Sequence, residues 1–246
     1  MCTLSWVSDR EGYALWFNRD ELNSRSLETP PKVQESQQGV AWLAPEDPDS
    51  GGTWLMVNAH GVTTVLLNRY GDELAQTPNM NRVTRGRLVP LTATARTANE
   101  AIERVRREDL SETLPFHLIS IDPKGGVSEL RWDGFAGHLA TGKNVSPPIT
   151  SSSFQPDEVA AKRSALFPTN PCPRSLREYH HEHDPAAGAV SVNMCRDDAC
   201  TRSICNVRVS ADWVSLDYEP QGWLVAPVGT RSLQRITRLQ SASMTR

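Results

Sequence analysis

Residues 2–21 read CTLSWVSDREGYALWFNRDE, and this stretch decides the fold. Residues 2–8 alternate large apolar and small polar side chains, the period of a strand that buries one face. Residues 9–12 form a predicted turn, and residues 13–18 form a second predicted strand. The sequence therefore predicts an antiparallel hairpin at the start of the chain.

The rest of the chain alternates groups of strands with separate helices. Further strands are predicted at 40–43, 53–58, 62–67, 116–121, 127–132, 189–194, 203–210 and 213–218. Helices are predicted at 82–89, 97–107 and 157–167, and irregular structure at 19–39, 136–150 and 168–188. Hairpin-connected strands with segregated helices indicate an α+β protein with antiparallel sheets rather than a Rossmann-type βαβ fold. We expect a single domain over residues 1–246, with a weakly ordered C-terminal tail at 230–246.

Composition excludes several classes of partner. The net charge is only -3, with acids and bases interspersed, so we expect no nucleic-acid partner. Charged residues interrupt the first twenty positions, and no apolar run approaches the roughly 18 residues that span a bilayer. We therefore expect a cytoplasmic protein without stable membrane insertion. Its five cysteines, an odd number, are expected to be free thiols.

Cys2 directly follows Met1, and removal of that methionine would leave a cysteine at the N-terminus. Such a residue carries a thiol and an α-amine, whose pKa of about 7.7–8.0 lies close to cellular pH. The amine can take the thiol proton, which is a recognised way to activate a nucleophile. The alternative is that Cys2 is a small buried apolar residue.

The segment Asn18-Arg19-Asp20-Glu21 ends the second strand of the predicted hairpin. The turn brings this segment beside Cys2, where an arginine favours the thiolate and an aspartate can hold an arginine or an ammonium. In a regular strand Arg19 and Asp20 point to opposite faces, so both reach Cys2 only if the chain bends. The alternative is a solvated charged turn.

Several motifs, taken together, resemble the NRDE family, whose eukaryotic members are called transport and Golgi organisation protein 2. They keep their order from residue 1 to about residue 215. The motifs are Met1-Cys2-Thr3, Asn18-Arg19-Asp20-Glu21, Ala44-Pro45-Glu46-Asp47, Gly51-Gly52-Thr53-Trp54, Leu67-Asn68-Arg69 and Thr201-Arg202-Ser203.

The NRDE family is in turn similar to the N-terminal-nucleophile hydrolases that include choloylglycine hydrolases and penicillin V acylases. The resemblance implies a four-layer αββα sandwich of antiparallel sheets and hydrolysis of C–N amide bonds. It assigns Cys2 as the nucleophile and Asn68 as the oxyanion donor. The other catalytic positions that it implies are Arg19, Asp20 (with Glu21 as the alternative) and Arg202.

The sequence departs from the acylases at one position. Their second asparagine, before a helix, corresponds to residues 150–154, where Ser151 and Ser152 stand instead. A serine hydroxyl donates a hydrogen bond but reaches less far than an asparagine amide. We expect Ser151, Ser152 and Trp54 to contact the substrate, with Trp54 as a wall of the pocket.

Two other interpretations of the sequence are alternatives to an enzyme that hydrolyses an amide or thioester bond of a small acylated substrate. A metal could bind near Cys195, Cys200, Cys205 and the histidines at 180, 181 and 183, but the spacing fits structural zinc poorly. We therefore expect no metal and no cofactor. The second alternative is a non-enzymatic carrier of haem, acyl-CoA or lipid, an activity to which the family has been tied. Cys172-Pro173 resembles a haem-ligand dipeptide, and a proline-rich loop explains it equally.

Overall fold

Two antiparallel sheets lie face to face in the computed structural model, which describes residues 1–70, 83–221 and 231–239. The strands are β1 Cys2–Ser8, β2 Tyr13–Leu22, β3 Thr29–Glu35, β4 Ala41–Glu46, β5 Leu55–Asn58, β6 Thr63–Asn68, β7 Phe116–Ile121, β8 Val127–Trp132, β9 Gly137–Thr141, β10 Ile149–Ser151, β11 Ala199–Val209, β12 Trp213–Pro220 and β13 Ser232–Thr237. The helices are α1 Ala98–Arg106, α2 Pro156–Leu166 and α3 Pro173–His180. Within the described residues, the first sheet has the order β10-β1-β2-β11-β12-β13, and the second runs from β3 to β9 in chain order.

Alternation along each strand separates the core from the outer layers. Leu4 and Phe17 of the first sheet share a buried cluster with Leu55 and Val65 of the second, so this cluster lies between the sheets. Helix α1 covers the outer face of the second sheet, where Ile102 joins a separate buried cluster. Helices α2 and α3 lie on the outer face of the first sheet. The fold is therefore the expected four-layer αββα sandwich.

The predicted hairpin and two of the predicted helices are confirmed. The first hairpin joins β1 to β2, and α1 and α2 fall within one residue of the predicted bounds 97–107 and 157–167. Thr97 caps α1, because its side chain accepts a hydrogen bond from the N–H of Glu100. None of the helices in these described ranges has the length and apolar character that crossing a membrane requires.

Several predicted irregular segments are in fact ordered. Helix α3 lies within 168–188, where proline stands in the first turn and Leu176 and Tyr179 are buried on one side. Strands β3 and β9 lie within 19–39 and 136–150. Strand β3 tolerates its two prolines because it is an edge strand.

Three further predictions need correction. Residues 189–194 are not a strand: a 3-10 turn at Gly188–Val190 is followed by irregular chain. The helix predicted at 82–89 is a 3-10 turn at Arg85–Arg87, and Arg82 lies outside the described residues. In the expected weakly ordered tail, Ser232–Thr237 form β13, which pairs with β12; residues 230 and 240–246 lie outside the described residues.

Candidate functional site

The register of the first hairpin places Cys2 directly opposite Arg19. Met1 and Asp20, one position further along, exchange both main-chain hydrogen bonds at 3.0 Å. Cys2 and Arg19 therefore form a non-hydrogen-bonded pair, the type in which opposed side chains lie closest. Both side chains belong to the inner face of the first sheet, as Leu4 and Phe17 do.

Cys2 and Arg19 line an open polar cavity of about 120 Å³ between the ends of the two sheets. Trp54, Asn68 and Asp20 line the same cavity, so five of the predicted site residues meet there. Gly52 shapes its wall: a Cβ added there would meet the carbonyl carbon of Gly86 at 2.7 Å. The Gly-Gly-Thr-Trp motif thus permits a close approach of two chain segments beside the cavity.

Arg19 is held by several carboxylates and one aromatic ring. Its guanidinium lies 3.4 Å from oxygens of Glu21, Glu28 and Asp47 and stacks 4.5 Å above the ring of Trp54. Glu28 is itself buried and accepts a 2.7 Å hydrogen bond from Ser203. Arg19 is therefore fixed in place, and its positive charge is largely compensated by its neighbours.

The Cys2 thiol is buried while Met1 is present. Burial raises its pKa to about 11, and the N-terminal ammonium of Met1 and the Arg19 guanidinium offset only part of this effect. At pH 7 such a thiol is almost entirely protonated, and the protonated form is a poor nucleophile. With Met1 in place, Cys2 is in its protonated form.

Asp20 points to the opposite face from Arg19, because β2 keeps its regular alternation here and does not bend. Its carboxylate accepts hydrogen bonds from Arg163 at 3.1 Å and from Thr201 at 2.7 Å. The side chains of Asp20 and Arg163 are both fully buried. Asp20 thus meets the N-terminal residue through its main chain, while its side chain anchors a network on the outer face.

Arg163 is the partner that sequence reasoning missed. It lies on α2 four residues after Val159, and both are fully buried on the same side of that helix. Its guanidinium donates to Thr3 at 2.6 Å and to the carbonyl of Ala189 at 2.9 Å, in addition to Asp20. The only signal in the sequence was an arginine at a helical position where the spacing expects an apolar residue.

Asn68 and Arg202 occupy different surroundings. Asn68 ends β6 at the cavity, and its amide donates to the hydroxyl of Tyr70 at 3.1 Å. Arg202 sits at a break in the β2–β11 register, between Thr201 and Ser203. Its guanidinium donates to the carbonyls of Leu22 and Arg25, at 3.1 and 3.3 Å, and does not line the cavity. The structure therefore brings Asn68 to Cys2 and leaves Arg202 as an anchor for the chain that follows β2.

The two serines lie on either side of the β1 end. Ser151 is the register partner of Cys2 on β10. The hydroxyl oxygen of Ser152 lies 2.7 Å from the sulfur of Met1 and 2.5 Å from the carbonyl oxygen of Phe154. Among the residues described, no hydrogen-bond partner is found for the buried Ser151 hydroxyl or for the buried indole N–H of Trp54. Two unsatisfied polar groups thus stand close to the nucleophile candidate.

The cysteines and histidines near residues 180–205 do not converge. Cys195 and Cys200 are main-chain partners in a short antiparallel bridge and carry free thiols. Cys205 lies in the core between the sheets. His180 is buried on the outer face, within 2.7 Å of Ser5 and 2.6 Å of Asn18. In the part of the chain that the structure describes, no three His, Cys, Asp or Glu side chains are placed to hold a metal ion.

Several solved structures are similar to this chain over most of its length. The penicillin V acylase of Agrobacterium tumefaciens matches with a TM-score of 0.56 and 11% identity, covering 96% of this chain and 86% of that chain. A cysteine-to-alanine variant of the conjugated bile acid hydrolase of Clostridium perfringens matches with a TM-score of 0.53 and 11% identity, over 98% and 97%. The Caenorhabditis elegans orthologue of N-acylethanolamine-hydrolyzing acid amidase matches with a TM-score of 0.55 and 12% identity, over 84% and 92%. At these identities the likeness shows an N-terminal-nucleophile hydrolase fold.

The sequence itself identifies the family. No curated protein matches the chain significantly. The family model of Transport and Golgi organisation 2 matches residues 1–149, more than half of the chain and the part that contains Cys2, Arg19 and Asn68. The chain therefore belongs to the Transport and Golgi organisation 2 family and has the fold of the N-terminal-nucleophile hydrolases.

Proposed function

We propose that this protein hydrolyses an amide or thioester bond of a small acylated substrate, with Cys2 as its nucleophile once Met1 has been removed. One observation carries the proposal: Cys2 lies directly opposite Arg19 at a polar cavity that Asn68 also lines. The fold supports it, because Cys2 begins the first strand of an N-terminal-nucleophile sandwich. Arg202 is not part of this proposal, since its guanidinium binds main-chain carbonyls away from the cavity.

Removal of Met1 supplies the general base. While Met1 is present, the nitrogen of Cys2 is an amide and cannot accept the thiol proton. Once Met1 is removed, this nitrogen is an amine with a pKa of about 7.7–8.0. Because Met1 bonds to Asp20 on the β2 side, the main-chain groups of Cys2 point to β10, where Ser151 is its partner. The unpaired hydroxyl of Ser151 can then accept a hydrogen bond from the new amine.

The reaction follows from this arrangement. The thiol proton moves to the Cys2 amine as sulfur bonds to the substrate carbonyl carbon, and negative charge develops on the carbonyl oxygen. The side-chain amide of Asn68 can donate to that oxygen, and each such donor contributes about 2.7–4 kcal/mol in an enclosed site. The C–N or C–S bond of the leaving group breaks as the amine returns the proton to it. Water then cleaves the S-acyl bond and releases the acid.

A carrier of haem or acyl-CoA has less support. In the described ranges, the cavity at Cys2 measures about 120 Å³, whereas pockets for drug-sized ligands usually measure about 300–1,000 Å³. Its lining is also strongly charged, with Arg19, Glu21, Arg25 and Asp47 on its walls. These features suit a small polar group better than a large apolar ring.

The test compares two forms of the protein. A fusion cleaved to leave Cys2 first is compared with protein produced while methionine aminopeptidase is inhibited, which retains Met1. Both receive a limiting pulse of iodoacetamide at pH 7.5, and labelled residues are mapped by mass. We expect Cys2 to react at least tenfold faster without Met1, and faster than the exposed Cys172, which serves as the internal reference. Equal Cys2 rates in the two forms would exclude the proposed nucleophile.

A further inference from the structure

Met1 is buried beside the proposed nucleophile. It is only 8% exposed and packs in a buried cluster with four apolar side chains, those of Val159, Ala189, Met194 and Ala199. We call these four residues, together with Ser152, the Met1 seat. The seat lies on the outer side of the first sheet, under α2, and the polar cavity lies on the inner side.

The main chain and the sulfur of Met1 are held by hydrogen bonds. Its carbonyl oxygen accepts from the N–H of Asp20 at 3.0 Å, and its ammonium donates to the carbonyl of Asp20 at 3.0 Å. Its sulfur lies 2.7 Å from the hydroxyl oxygen of Ser152, whose single proton has either this sulfur or the carbonyl oxygen of Phe154 as its acceptor. The seat thus holds a carbonyl group with a straight apolar chain and offers one hydroxyl partway along that chain.

Met1 is, in chemical terms, an acyl group on the nitrogen of Cys2. The intermediate of the proposed reaction is an acyl group on the sulfur of the same residue. Nitrogen and sulfur are borne by adjacent carbons of cysteine, so an acyl group on either atom starts from neighbouring points at the end of β1. The pocket that holds the N-acyl chain therefore lies within reach of an S-acyl chain once Met1 has left it.

We propose that the Met1 seat binds the acyl chain of the substrate after Met1 has been removed, with the N–H of Asp20 donating to the acyl carbonyl oxygen. This inference rests on the proposed function and specifies its substrate. A methionyl group without its amine has the length of a straight acyl chain of about six carbons. The seat therefore selects a linear, apolar acyl group of about that length.

The polar cavity holds the other part of the substrate. Its walls carry Glu21 and Asp47 along with Arg19 and Arg25, an unsuitable lining for an alkyl chain. Cys2 lies at the end of β1, between this cavity and the seat. The substrate class is thus an amide or thioester of a medium-chain linear acid with a polar leaving group.

The test uses chain-length dependence on the protein that begins with Cys2. It is treated with phenyl thioesters of linear acids with two, four, six, eight and twelve carbons, and acylation of Cys2 is followed by intact mass. Phenyl thiolate leaves readily, so the acylation rate reports on the acyl chain. We expect the six-carbon ester to react at least tenfold faster than the two- and twelve-carbon esters and than its branched isomer, the 2-ethylbutanoyl ester.

A substitution in the seat provides the second arm. Ala189→Leu narrows the seat and is expected to shift the optimum to shorter chains, whereas Ala186→Leu, the same change at an exposed site three residues away, leaves it at six carbons. Unfolding curves of both variants confirm that they fold. If the rate of Cys2 acylation did not depend on chain length, the proposal that the Met1 seat binds the acyl chain would be wrong. The proposed hydrolase function would not be affected. Failure of every ester and of iodoacetamide to modify Cys2 would overturn the proposed function itself.

Discussion

The two faces of the β1–β2 pair differ sharply at the end where the chain begins. On the inner face, Arg19 lies 3.4 Å from three carboxylates, and two buried polar atoms nearby, the Ser151 hydroxyl and the Trp54 indole N–H, have no hydrogen-bond partner among the residues that the structure describes. On the outer face, Asp20, Arg163, Thr3 and Thr201 are buried and joined by hydrogen bonds of 2.6–3.1 Å. Arg19 and Asp20 are neighbours in one motif. Arg19 thus belongs to a site whose polar groups are only partly paired, whereas Asp20 belongs to a network of short hydrogen bonds.

This difference separates the proposed catalytic site from the residues that stabilise the fold. A buried polar network with every partner in place rigidifies the strands that carry it. The inner face has unsatisfied donors and an open cavity, which is what a ligand needs in order to bind. We infer that the outer network holds the β1 end in position so that Cys2 and Arg19 face the cavity correctly.

Asp20→Asn should give the largest loss of stability. It leaves the buried charge of Arg163 without its carboxylate, and breaking a buried pair in this way costs about 3–5 kcal/mol. The matched change on the inner face, Glu21→Gln, removes a partly exposed partner of Arg19 and should cost less than about 1 kcal/mol. Urea unfolding measures both. Equal losses would contradict the division between the faces.

His180 should make the outer face sensitive to acid. Burial, with His181 and Arg163 nearby, lowers its pKa well below the ordinary value of 6.5. Below pH 6.5 His180 binds a proton in the unfolded chain but stays neutral in the folded protein. The free energy of unfolding therefore falls by up to about 1.4 kcal/mol per pH unit. This fall continues until the pH reaches the lowered pKa. In urea unfolding between pH 7.5 and 5.5, His180→Asn should have a shallower pH dependence than the wild type; identical slopes would rule the effect out.

Arg19→Met should alter reactivity at the inner face. The arginine charge lowers the pKa of the Cys2 thiol, so its removal should raise that pKa and slow labelling at pH 7.5, by less than the about tenfold that one whole pKa unit would give. Arg19→Lys, which keeps the charge, is the control. The pH profile of iodoacetamide labelling, measured without Met1, should move to higher pH. A slower rate with an unmoved profile would indicate that Arg19 acts only on structure.

The sequence predicted the pairing at the site because that pairing is local. The turn at residues 9–12 fixes the register of the hairpin, and strand alternation then assigns Arg19 and Asp20 to opposite faces. Arg163 and the Met1 seat could not be found in this way, because they come from α2 and from the segment 189–199, which approach β1 only in the folded chain. The segment that forms α3 contains charged residues and proline, so its composition did not predict a helix. Tertiary packing stabilises that helix.

Arg202 shows that a motif match does not by itself place a side chain in the site. Its position in Thr201-Arg202-Ser203 was assigned to the site by resemblance alone. The register break between its two neighbours places its guanidinium on the carbonyls of Leu22 and Arg25. A bulge redirects a side chain, and a single sequence does not show where a bulge falls.

Trp54→Phe should have a moderate effect on stability and a clear effect on function. Trp54 belongs to the core between the sheets and lies under the Arg19 guanidinium, so the smaller ring should lower the free energy of unfolding by about 1 kcal/mol, although the indole N–H has no partner among the described residues. On the outer face, Thr3→Val removes an acceptor of the Arg163 guanidinium and should cost about 1.5–3 kcal/mol. If the indole donates to a substrate in the cavity, Trp54→Phe should also slow acylation of Cys2 by the six-carbon thioester. An acylation rate that Trp54→Phe leaves unchanged would show that the indole N–H does not donate to the substrate.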